Sequence, residues 1–111
     1  DAPSGTAKFL ADTLATGIGD LTVVSNRTAP RAKGEIGIHA VRGGGVYGEH
    51  EVRLISDTEE VSIKHRAFSR ALFASGALVL GEWLLGQKPG FYNLNDVEPA
   101  QLAGLLRPDR S

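Results

Sequence analysis

The chain has 111 residues, 12 Lys and Arg against 13 Asp and Glu, and a formal net charge of −1. This length suits one domain with a single core, and 41% hydrophobic with 23% charged residues is an ordinary globular composition. The near-neutral balance gives no reason to expect nucleic acid or a membrane surface as partner, and the absence of cysteine excludes disulfides and thiolate metal centres, in keeping with a cytoplasmic protein.

Asp1-Ala2-Pro3-Ser4-Gly5-Thr6-Ala7 opens the chain and predicts a tightly defined helix start. Pro3 fixes its own φ and biases Ala2 toward extended backbone. Ser4 is a favoured N-cap, and Gly5 lets a ligand approach the main chain. Ala7, Phe9, Leu10, Ala11 and Leu14 then recur with helical spacing. Free N–H groups at such a start, beside the Thr6 hydroxyl, can receive an anion; the same pattern also reads as a capped helix without a ligand. Gly17 and Gly19 end the helix.

Residues 21–25 form a short β-prone piece, and 26–34, with Pro30 and the cations Arg27, Arg31 and Lys33, reads as a loop. Ile36, Ile38 and Ala40 alternate with Gly37, His39 and Val41, which predicts a strand buried on both faces. Gly43-Gly44-Gly45 lies between two candidate strands, so it reads as a hairpin connection and not as a dinucleotide fingerprint. In 46–56, Val46, Gly48, His50, Val52 and Leu54 share one face, opposite Tyr47, Glu49, Glu51, Arg53 and Ile55. In 60–68, Val61, Ile63, His65 and Ala67 oppose Ser62, Lys64 and Arg66. Asp57-Thr58 predicts a tight turn and an antiparallel pair. With 21–25 this makes an α+β domain with a mixed four-stranded sheet and flanking helices. Residues 69–85 form a helix apolar nearly all round, too short and too interrupted to span a bilayer, and therefore expected to be buried. Gly86 stops it. Residues 98–111 are expected to form a short helix and a disordered tail.

Several of these segments together resemble one family. Asp1–Ala7 is similar to the signature of dihydrodipicolinate reductase, a reductase of diaminopimelate and lysine biosynthesis. Glu35-Ile36-Gly37-Ile38-His39-Ala40-Val41-Arg42, the following Gly43 to His50, His65-Arg66-Ala67-Phe68-Ser69-Arg70 with Phe73-Ala74-Ser75-Gly76-Ala77, and Phe91 to Val97 resemble further family blocks in the same order. The resemblance covers residues 1–97 and implies the C-terminal domain of 4-hydroxy-tetrahydrodipicolinate reductase, with 70–97 packing against a nucleotide-binding half. In the complete enzyme it implies hydride transfer from NADPH or NADH to a cyclic dicarboxylate, loss of water, and a homotetramer. The family's Gly-rich nucleotide loop and its His-His-x-x-Lys proton-handling motif precede the signature. This segment is therefore expected to carry no catalytic residue, to bind no nicotinamide alone and to be inactive by itself.

The resemblance assigns substrate binding to Gly5 and Thr6. Ser4 is read first as the cap of its own helix. Arg70, where a strand passes into a helix, offers a bidentate grip on a second carboxylate, against the alternative of a solvated arginine. His39, His50 and His65 have no metal-ligand spacing, and His50 and His65 on adjacent strands read as hydrogen-bonded sheet or interface residues. Glu49 beside His50 is a weaker candidate. The competing class is a non-catalytic oligomerisation or small-ligand-binding module, distinguished by whether the reading frame upstream supplies the nucleotide-binding half.

Overall fold

A computed structural model describes residues 2–105. The chain forms two compact units, Asp1–Arg66 and Ala67–Ser111. In the first, α1 (Gly5–Ile18) is followed by β1 (Thr22–Ser25), β2 (Glu35–Ile38), β3 (Gly48–Ile55) and β4 (Glu60–Ala67), whose last residue begins the second unit. The second holds α2 (Ala71–Leu85), a single 3₁₀ turn (Leu94–Asp96) and α3 (Pro99–Leu105). The class is α+β, as expected. The four strands do not join into one sheet, however: β1 pairs with β2, and β3 with β4.

Helix α1 starts where the capping residues dictate. Ser4 has extended backbone, its side chain accepts the Ala7 N–H at 3.2 Å, and Lys8 N–H donates to the Ser4 carbonyl at 3.1 Å. Gly19, at φ +85°, ends the helix by donating to the Ala15 carbonyl. The helix turns Ala7, Leu10, Ala11, Leu14 and Ala15 inward, a stripe of spacing three and four, with Ala11 only 3% exposed. Phe9 falls off that stripe and is 70% exposed. The stripe packs on the parallel pair β1–β2, in which Thr22 faces Glu35 and Ser25 faces Ile38.

The connection from β1 to β2 is organised by Glu35. Its carboxylate accepts the Ala32 N–H at 2.8 Å and an ion-pair hydrogen bond from Arg27. Those two donors, the backbone one first, hold the Glu35 carboxyl below its ordinary value of 4.5. Strand β2 stops at Ile38, and Val41 beyond it is 89% exposed. The expected two-sided burial through Val41 is absent because β2 has a single four-residue partner. For the same reason Gly43–Gly45 is a turn between two sheets and not a hairpin connection.

The four-residue connection 56–59 allows β4 only an antiparallel return. Ser56 forms the turn: its N–H donates to the Glu59 carbonyl at 2.9 Å, and its hydroxyl accepts from Thr58 N–H at 3.2 Å and Glu59 N–H at 3.1 Å. Side chains of the two strands meet across one face. Arg53 meets Glu60 at 2.5 Å, Ser62 donates to Glu51 at 2.6 Å, and Lys64 meets Glu49 at 2.9 Å. One face is thus charged, as the alternation predicted. Val52 and Leu54 of β3 and Val61 and Ile63 of β4 belong to the other face, where Val61 and Ile63 are exposed.

In the second unit, Trp83 and Tyr92 meet edge-to-face at 5.7 Å, and Asn93 and Asp96 cap the 3₁₀ turn reciprocally. A groove of about 310 Å³ runs along Leu80, Trp83, Leu84, Tyr92 and Val97. No residue of α2 is buried among the described residues, contrary to the expectation for so apolar a helix. Helix α3 matches the expected short helix, whereas the tail from 107 lies outside the described residues. No described helix is long and apolar enough to cross a membrane.

Candidate functional site

The first turn of α1 carries two of the three residues singled out in the sequence. Gly5 is the first helical residue and Thr6 the second, both exposed. Helix geometry leaves the early N–H groups without intrahelical acceptors. Ser4 satisfies that of Ala7, so those of Gly5 and Thr6 remain to be met from outside the helix. A Cβ added at Gly5 would meet nothing within 4 Å. The glycine is therefore not required by packing, and its open surface is accessible to a ligand.

Ser4 does more than cap. Its hydroxyl lies 3.2 Å from Nε2 of His50 on β3, a hydrogen bond joining residues 46 apart in sequence, both half-buried. Both also line a cleft of about 1080 Å³ in the first unit. Its wall carries Arg27, Arg31, Arg42 and Arg53 together with Glu49 and Glu51; Arg27 is paired with Glu35 and Arg53 with Glu60. Glu49 is held below its ordinary carboxyl value, mainly by the Lys64 hydrogen bond, with the charges of Lys64 and of Arg66 at 3.2 Å adding to it. It is thus a structural ion-pair partner, ionised and occupied. Arg53 is held above its ordinary value by Glu60.

Arg70 stands in the second unit at the start of α2, with helical backbone (φ −66°, ψ −22°) and no side-chain bond capping the helix. His39 also lines the cleft, while His65 lies on β4. Among the described residues, no group of three His, Cys, Asp or Glu side chains is arranged to hold a metal ion. The glycines at 43–45 lead into strand β3, not into a helix whose N-terminus could face a pyrophosphate. Two features escaped the sequence reading. The Ser4–His50 bond and the Glu35-centred loop both depend on which strands lie near which, and no local spacing encodes that.

Residues 1–97 match the family described as dihydrodipicolinate reductase, C-terminus. The chain is 50% identical over 99 residues to the 4-hydroxy-tetrahydrodipicolinate reductase of Methanosarcina mazei, covering 87% of this chain and 37% of that protein. The protein of the same name from Caulobacter vibrioides is 45% identical over 103 residues, 87% of this chain and 40% of its own length. That of Alkaliphilus oremlandii is 41% identical over 100 residues, 87% and 42% respectively. The chain thus spans about two fifths of the length of the curated relatives it matches. With the match running through 97 of its 111 residues, the chain belongs to the dihydrodipicolinate reductase C-terminal family.

Proposed function

We propose that this chain is the substrate-binding and oligomerisation part of an NAD(P)H-dependent 4-hydroxy-tetrahydrodipicolinate reductase of diaminopimelate and lysine biosynthesis, acting in the cytoplasm. The match over residues 1–97, with relatives that bear this name, carries the reading. In this reading the nicotinamide and the His and Lys that handle protons belong to a nucleotide-binding half outside the segment. The reaction adds hydride and a proton to the cyclic dicarboxylate and releases water.

The role of this chain's own residues is to bind and orient. The N–H groups of Gly5 and Thr6 and the Thr6 hydroxyl receive one carboxylate, favoured by the helix dipole by about 0.3–1 kcal/mol where exposed. Arg70 supplies a planar guanidinium that matches a carboxylate bidentately. The unpartnered apolar face of Val52, Leu54, Val61 and Ile63 supports assembly into a homotetramer.

The test compares the 111-residue segment with the full polypeptide that contains it, following nicotinamide absorbance with the cyclic substrate. The segment alone gives no turnover above the no-enzyme control, and the full protein turns over with NADPH or NADH. Turnover by the segment alone refutes the placement of cofactor and proton chemistry elsewhere; none by the full protein refutes the reductase reading.

A further inference from the structure

We infer that His50 is a positioning residue for the ligand-binding start of α1, acting through Ser4; this rests on the proposal that Gly5 and Thr6 receive a carboxylate. The inward stripe of α1 begins at Ala7, so packing on β1–β2 holds the helix from its third residue onward. Ser4, Gly5 and Thr6 lie ahead of that stripe. The Ser4–His50 bond ties this leading edge to β3, a strand of the other sheet.

A serine hydroxyl has one proton and two lone pairs. One lone pair takes the Ala7 N–H. With the His50 proton on Nδ1, the hydroxyl donates to Nε2; with it on Nε2, the ring donates to the second lone pair. Either way Oγ is held from two directions, by its own helix and by β3. An unheld serine samples three rotamers, of which the capping one is productive. His50 selects it, and the direction of the Gly5 and Thr6 N–H groups follows. Ser4 and His50 also share the wall of one cleft of the first unit.

The experiment uses the full polypeptide and pyridine-2,6-dicarboxylate as a planar probe, measuring its Kd calorimetrically alongside substrate KM and kcat, nicotinamide Kd and the urea midpoint. His50→Ala weakens the probe and raises KM by about twofold to tenfold, the range of one hydrogen bond, with kcat and nicotinamide Kd unchanged. His50→Gln, whose amide can still meet Ser4, restores most of the affinity. In a Ser4→Ala background His50→Ala adds nothing further, because both act through one bond. Additive effects, or an unchanged probe Kd in His50→Ala while Thr6→Val weakens binding, overturn the role of His50 and leave the carboxylate site standing. If Thr6→Val also leaves the probe unaffected, the carboxylate site itself is overturned. Should His50→Ala fail to fold, His50→Gln against His50→Leu decides: retention with glutamine and loss with leucine uphold the inference, and equal affinity refutes it.

Discussion

Gly5 and Thr6 are neighbours on one helical turn, yet two substitutions separate what they do. Thr6→Val keeps the side-chain shape and removes a donor. Calorimetry on the full polypeptide is expected to show a roughly tenfold to hundredfold weaker planar dicarboxylate, as a hydrogen bond to a charged group is worth about 1.5–3 kcal/mol, with nicotinamide affinity unchanged. Gly5→Ala places a methyl group where nothing else lies within 4 Å. It should raise stability by about 0.4–1 kcal/mol in urea titrations while weakening the dicarboxylate, a separation that a purely structural glycine would not produce. Glu35 supplies the pH dependence. Its carboxyl is held below 4.5 by Ala32 N–H and Arg27, so its contribution is complete above pH 4.5 and is lost as pH falls through the lowered folded value. Glu35→Gln is therefore expected to lower the thermal midpoint at pH 7, with the difference from the parent protein shrinking as pH falls below 4.5.

Local chemistry defines the elements well wherever the partner is close in sequence. The Ser56 turn is one case: a single hydroxyl serves two backbone N–H groups that the strands cannot satisfy. Ser56→Ala should cost about 0.5–1.5 kcal/mol in urea unfolding, with far-UV circular dichroism retained. The charged face of β3–β4 was legible from period-two alternation, and Arg53–Glu60, Glu51–Ser62 and Glu49–Lys64 bear it out. The extent of β2 was not. Alternation continues to Val41, but a strand lasts only as far as its partner does, and β1 ends at Ser25.

Across the described residues, much apolar surface is left exposed. Val61 and Ile63 are 51% and 66% exposed, and α2 buries no residue. Apolar faces of this kind are covered by other protein in most soluble assemblies. The full polypeptide is expected to sediment as a tetramer. Ile63→Glu, which puts a charge at the centre of the proposed interface, should shift it to smaller species, because an unpaired charge is costly to desolvate. A tetramer unaffected by this change would place the interface on another face.

The sequence by itself determined what short-range physics controls: the cap at Ser4, the α1 stripe apart from Phe9, the two faces of the β3–β4 ribbon, the turn at Asp57-Thr58 and the family blocks along residues 1–97. Period-three-to-four and period-two patterns are set by backbone geometry within one element, so they can be read without knowing the neighbours. Only the tertiary structure decided that four strands form two pairs, that Glu35 gathers the loop before it, and that His50 reaches Ser4. Each of these depends on which distant segments meet. Strand propensity is satisfied by any partner, and a histidine's alternation on a strand gives its face without naming the hydroxyl that waits there.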